Sequence, residues 1–274
     1  MEEIDEGLGE LKGEVKISAV VASDPHAWKR NLDDIEEEVT KLSNYADEYD
    51  CDELWIAGDI CSLDYAQLVA DSEFEKKKIV PGNHDTLDRN TLEKNGLLGE
   101  DVECNDRLEW EEEVGSEKQK FSISHKPHDF DTRINWSRVM DYWHQQKDVI
   151  VHGHSHMSRY RATDENILVI GCGSTFRNFY EPLNPRRSCQ ILKVNSHVKV
   201  SEIDMEKDEK VLEKKFGRTD DGFEEMESIG KDYQEKVYPK SYPKEMHFKD
   251  HRNKMYQRDF QKELYRQGVN DPNF

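Results

Sequence analysis

The chain has 274 residues, enough for one large domain or for a domain with an appendage. It is 36% charged and 35% hydrophobic with a formal net charge of -20, a very polar composition that argues against a wholly electrostatic grip on nucleic acid. No run approaches the apolar length that spans a bilayer, the acidic start Met1-Glu2-Glu3-Ile4-Asp5-Glu6 lacks the core of a secretory signal, and Cys51, Cys61, Cys104, Cys172 and Cys189 form no C-x-x-C pair, so reduced thiols, a cytoplasmic location and no membrane partner are expected.

Residues 1–14 are rich in Gly and Glu and read as an acidic flexible tail. Val15 to Ser23 is a strand whose run Ala19-Val20-Val21-Ala22 suits burial on both faces. Trp28 to Tyr49 reads as a helix, with Leu32, Ile35, Val39, Leu42 and Ala46 on one side and the acids Asp33-Asp34 and Glu36-Glu37-Glu38 as a solvated face. Leu54 to Ala57 is the second strand, and Asp64 to Lys77 a helix whose closing lysines suit its dipole. Lys78-Ile79-Val80 ends a third strand at Pro81-Gly82, and Thr86 to Asn95 is a short helix closed by Gly96. Val102 to Val114 holds one or two strands with an acidic turn around Glu111-Glu112-Glu113, and a further strand ends at His125. Ile134 to Gln146 reads as a helix and Asp148 to His152 as a strand. Two hairpins follow, 158–172 around Asp164-Glu165-Asn166 and 188–203 around Asn195-Ser196.

Five of these strands stop at polar residues, often beside a glycine. Asp24 and His26 follow the first, Asp59 the second, and Asn83-His84-Asp85 the third. His125 ends a later strand, and His154 and His156 follow Gly153. Open α/β sheets place ligands at the carboxyl ends of their strands. Seven oxygen and imidazole donors, Asp24, His26, Asp59, Asn83, His125, His154 and His156, suit a borderline divalent metal better than core packing.

In order, these blocks are D-x-H, G-D, G-N-H-D, H and G-H-x-H, and the set resembles the calcineurin-like metallophosphoesterase superfamily, small phosphodiesterase type, over roughly residues 15–205. The resemblance implies an α/β fold, a four-layer α/β/β/α sandwich of two mixed sheets. Residues 206–274 would form a charged, aromatic-containing C-terminal extension. It implies a dinuclear metal-dependent hydrolase in which Asp59 bridges two divalent ions. Asp24, His26 and His156 complete one site, and Asn83, His125 and His154 the other. Manganese is the first expectation, with iron, nickel or zinc as the other fits. His84 is the expected acid for the leaving alkoxide, and Asn83 touches metal and phosphate. Asp85 either orients the His84 imidazole or caps the next helix.

The expected activity is phosphodiester hydrolysis. The alternatives are a DNA or RNA nuclease resembling the double-strand-break repair nuclease, and a non-catalytic interaction scaffold such as the retromer subunit of this fold. The continuation Ile60-Cys61-Ser62-Leu63 lacks the V-D-R-G of Ser/Thr protein phosphatases. Arg177, Arg186 and Arg187 suit bidentate contact with a phosphate ester substrate or pairing with the chain's many acids. His152 reads as structural and His128 as a loop residue. Beyond 205, Glu206 to Lys215 and His251 to Gln267 have helical character. Between Lys236 and Arg266, nine Lys or Arg against four Asp or Glu alternate with aromatics. That pattern fits a charged helical extension packed on the sandwich, with nucleic-acid tracking as the second reading.

Overall fold

The computed structural model describes residues 14–114, 117–125, 149–154, 156, 158–162, 167–176, 187–219 and 222–230. The first sheet is built on β1 (Ile17–Ala22), β2 (Glu53–Ala57), β3 (Lys76–Val80) and β4 (Val102–Cys104), each parallel to the next. On the other side of β1 it continues antiparallel through β10 (Ser188–Val194), β11 (His197–Asp204), β12 (Glu209–Thr219) and β13 (Gly222–Gly230). The second sheet has the order β5 (Arg107–Val114), β6 (Glu117–Ser124), β7 (Val149–His152), β9 (Leu168–Gly171), β8 (Arg159–Ala162), with β6, β7 and β9 parallel. Both sheets are therefore mixed, as expected.

Strand alternation explains the continuous apolar runs. Val20, Ala22, Leu54 and Ile56 face the helices α1 (Leu32–Tyr49) and α2 (Leu63–Asp71), while Ala19, Val21, Trp55 and Ala57 face Phe121, Ile123, Val149 and Ile170 of the second sheet. Helix, sheet and second sheet form three successive layers. The helix expected over 134–146, which would make the fourth, lies outside the described residues, as do the turn 163–166 and everything from 231 onward. No described helix is long and apolar enough to cross a membrane. All five cysteines are free.

Several boundaries differ from expectation, each for a physical reason. Residues 27–29 form a 3-10 turn, and α1 begins only at Leu32, capped by the Asn31 side chain, which accepts from Asp34 N at 2.8 Å. The second helix stops at Asp71, because Lys76, Lys77 and Lys78 belong to β3. Lys77 donates to Asp101 at 2.6 Å, and Lys78 pairs with Glu53 beneath the rings of Trp55 and Trp110. These partners are remote in sequence and outweigh the helix-end preference of a lysine run. The short helix α3 is Arg89–Lys94, capped by Asp88. Glu111-Glu112-Glu113 make no turn and run straight through β5 in register with β6. Glu206 to Lys215 is not helical. Residues 209–219 form β12 and 222–230 form β13, so the sheet runs on past 205 to Gly230. One acid of the expected solvated helix face, Glu38, is fully buried.

Candidate metal centre

Six parallel strands of the two sheets bring their carboxyl ends together: β1, β2 and β3 from the first, β6, β7 and β9 from the second. Backbone pairing of β1 with β2 continues beyond both strands, through Asp24 N to Gly58 O (3.0 Å), His26 N to Asp59 O (2.9 Å) and Ala27 N to Ile60 O (3.1 Å). This fixes the D-x-H segment against the G-D segment before any side chain is considered.

Five of the seven donor residues have left-handed backbones: Asp24 (φ 53°), His26 (43°), Asp59 (57°), His154 (64°) and His156 (54°). For a residue with a Cβ this costs on the order of 1–3 kcal/mol each and persists only where the surroundings hold it. The concentration of strain at one place is the mark of a site. Gly58 (φ 94°) serves the same end, since a Cβ there would lie 2.1 Å from His125 Nδ1.

One oxygen or nitrogen each from Asp24, His26, Asp59 and His156 lie within 4.8 Å of one another, and all four residues are buried. His156 Nε2 is 3.1 Å from Asp24 Oδ1, and the Nε2 atoms of His26 and His156 face each other at 3.2 Å. Next to this group, His125 Nε2 lies 3.4 Å from Asp59 Oδ2, 3.1 Å from Asn83 Oδ1 and 3.3 Å from His154 Nδ1. His125 Nδ1 donates to the Ala57 carbonyl at 2.9 Å, which leaves Nε2 as a bare lone pair in the neutral ring. That lone pair meets a carboxylate oxygen and an amide oxygen, neither of which brings a proton. Donor atoms about 2.0–2.2 Å from a shared cation would be spaced much as these are. The donor set fits a bound divalent metal.

The electrostatics express the same demand for positive charge. Burial pushes the Asp59 carboxyl up, but His125, the His84 N–H and His26 more than reverse this and hold it well below the usual carboxylate range. Asp24 is likewise raised by burial and lowered further by His156, His125 and Ser23, with a net downward shift. Burial lowers the His125 pKa, yet contact with Asp59 and the charge of Asp24 raise it overall.

His84 is exposed beside this cluster, its N–H donating to Asp59 Oδ1 at 2.9 Å and its ring 5.6 Å from that of His26. Asp85 takes neither expected role. Its carboxylate accepts from Gly82 N (2.7 Å), Ile60 N (3.2 Å) and Cys61 N, stitching the G-N-H-D loop to the G-D loop, while Asp88 caps the helix. Arg187 pairs with an acid: its Nε donates to Thr175 O (2.6 Å) and its Nη2 to Glu38 (3.1 Å). Arg177, Arg186 and His128 lie outside the described residues. His152 is buried, with Nδ1 2.9 Å from the Gly153 carbonyl. Glu38 was missed as a contributor, although its place between Ile35, Val39 and Leu42 on the helix put it at the edge of the apolar face.

The calcineurin-like phosphoesterase superfamily domain matches residues 17–196. No curated protein matches the chain. Among solved structures, a conserved uncharacterized protein from Streptococcus pneumoniae, described as a predicted phosphoesterase, shares 20% identity over 78% of this chain and 98% of its own, with a TM-score of 0.45. A phosphoesterase from E. coli shares 19% over 72% and 98%, with a TM-score of 0.46. Vacuolar Protein Sorting 29 from Cryptosporidium parvum shares 14% over 80% and 100%, with a TM-score of 0.50, a likeness of fold. The family match begins at the first residue of β1 and takes in all seven donors, and by it the chain belongs to the calcineurin-like phosphoesterase superfamily.

Proposed function

We propose that the chain is a dinuclear metal-dependent phosphoesterase that hydrolyses a phosphodiester in the cytoplasm. Asp24, His26 and His156 would hold one metal, Asn83, His125 and His154 a second, and Asp59 would serve both. The observation that carries this reading is the crowding around Asp59, whose Oδ2 lies 3.8 Å from His26 Nε2 and 3.4 Å from His125 Nε2. When bound, a pair of divalent ions supplies charge neutralisation for the phosphate and a water that ionises near neutral pH. Mixed imidazole and oxygen donors suit manganese first, then iron, nickel or zinc.

The chain's own residues orient and move protons. The αL backbones of Asp24, Asp59 and His154 aim their side chains inward, and Asp85 holds the His84 loop against the Asp59 loop. Water adds to phosphorus, the ester P–O bond breaks, and His84 gives its proton to the departing oxygen, leaving a phosphate monoester and an alcohol. Asn83 steadies a phosphate oxygen through its side-chain amide.

The test is a manganese-supplemented screen with bis-p-nitrophenyl phosphate, cyclic nucleotides and single-stranded DNA, run beside Asp59→Asn. Turnover of small diesters that Asp59→Asn abolishes supports the proposal. Cleavage confined to DNA replaces it with a nuclease, and absence of turnover with every metal replaces it with a scaffold.

A further inference from the structure

Glu38 sits in the middle of α1 at 0% exposure, in a setting where a carboxylate left without partners is strongly destabilising. Four donors meet its two oxygens. Oε2 accepts from Arg30 Nη1 and from Arg187 Nη2 at 3.1 Å, and Oε1 accepts from the Thr175 hydroxyl at 2.7 Å and the Tyr65 hydroxyl at 3.0 Å. The network is complete, and such networks fix the geometry of whatever they join.

Three of those donors belong to segments bordering the metal centre. Arg30 ends the turn that starts at His26, with its own N–H donating to Ala27 O at 3.0 Å. Thr175 N donates to Ser23 O at 3.0 Å, and Arg187 Nε donates to Thr175 O at 2.6 Å. The adjacent Ser174 hydroxyl shares its proton between the Asp24 carbonyl at 2.8 Å and the Phe176 carbonyl at 2.7 Å. Asp24 and His26 are two of the five donors whose left-handed backbones need outside support.

We propose that Glu38 is a positioning residue: it clamps Ser174-Thr175 against Ser23-Asp24 and so holds Asp24 in the left-handed backbone that aims its carboxylate into the donor cluster. The consequence for metal affinity rests on the metal reading above, whereas the clamp itself does not. Nothing in the sequence motif contains Glu38. It acts from a helix and reaches the site through a loop about 137 residues further on, the separation of Glu38 from Thr175.

The full chain tests this through three variants. Thr175→Val removes one donor from Glu38 Oε1 on the site side, Tyr65→Phe removes the other donor from the same oxygen on α2, and Thr175→Ser restores the hydroxyl. Two readouts are taken: hydrogen–deuterium exchange over residues 23–26 in metal-free protein, and Co(II) affinity from its absorption spectrum. Thr175→Val is expected to speed exchange and to weaken Co(II) binding about tenfold. Thr175→Ser should stay near the parent, and Tyr65→Phe should lower thermal stability while leaving both readouts within about twofold. Identical behaviour of Thr175→Val and Tyr65→Phe overturns the clamp. If the parent takes up no Co(II), faster exchange in Thr175→Val alone upholds the clamp while the metal reading falls. Unchanged exchange overturns the clamp whatever the metal result.

Discussion

The α-carbon of Gly82 packs against the carboxylate of Asp59, so closely that a Cβ would lie 2.0 Å from Oδ1 and 2.3 Å from the Asp59 amide nitrogen. The G-N-H-D glycine thus makes room for the central acid of the G-D block, although 23 residues separate them.

Gly82→Ala follows from that contact. The methyl overlaps both the carboxylate and the backbone nitrogen of Asp59, so the Asp59 loop must shift, carrying the carboxylate and the His26 segment bonded to it. Metal uptake should fall at least about tenfold, the range of lost supporting contacts around a metal. Isothermal titration with Mn(II) checks this, and a circular dichroism spectrum unchanged from the parent would separate a displaced side chain from a lost fold.

His84→Ala should keep metal and lose turnover, because the ring stands beside the donor cluster and only its backbone N–H binds Asp59. The loss should be about 10²–10⁴-fold for an unactivated alkyl diester and much smaller for a p-nitrophenyl ester, whose leaving group needs no proton. Comparing kcat on the two substrates reads the difference. Equal losses on both would remove the acid assignment.

Lys78→Met tests the buried pair under the tryptophans. Lys78 lies 4.7 Å from the Trp110 ring centre and 5.3 Å from that of Trp55, with Glu53 as its counter-ion. Removing Lys78 leaves the buried Glu53 carboxylate with the Trp55 indole N–H at 2.7 Å and the exposed Lys76 at 3.6 Å, and a loss of about 3 kcal/mol is expected, the low end for a broken buried pair. Urea unfolding followed by tryptophan fluorescence measures it, and Lys76→Met, which removes the exposed partner of the same carboxylate, should cost under about 1 kcal/mol.

Glu213 governs a pH dependence of stability. Burial raises its pKa, but Lys210, Ser201 and Lys199 bring it below the ordinary value of 4.5. A depressed acid stabilises the fold above its unfolded-state pKa, and that contribution fades as pH falls through the lower folded value. The parent should lose melting temperature on acidification below pH 4.5, and Glu213→Gln should flatten that part of the profile while costing about 1–2 kcal/mol at pH 7. Thermal melts from pH 3 to 7, roughly the span in which carboxylates titrate, give both numbers.

Much of the site was legible because its donors sit at strand ends, and strand ends are marked locally by an apolar run meeting Gly, Pro, Asp or His. Val20-Val21-Ala22 before Asp24 and Leu54-Trp55-Ile56-Ala57 before Asp59 announce themselves within ten residues. The same runs gave a mixed α/β chain, and the sandwich of two mixed sheets came from the family resemblance.

What the sequence by itself determined, then, was where the core strands run and which polar residues end them, because burial on both faces of a sheet leaves an unbroken apolar signature. Only the tertiary structure decided where charged residues go. Lys76-Lys77-Lys78 and the Glu-Lys stretch of β12 carry helix-like composition, yet they lie in strands because Glu53, Asp101, β11 and β13 supply partners. Asp85 turned to backbone amides, Arg187 to Glu38, and Glu38 itself inward. A buried charge is tolerated only through its partners, and those partners are distant in the chain, so no local pattern reveals them.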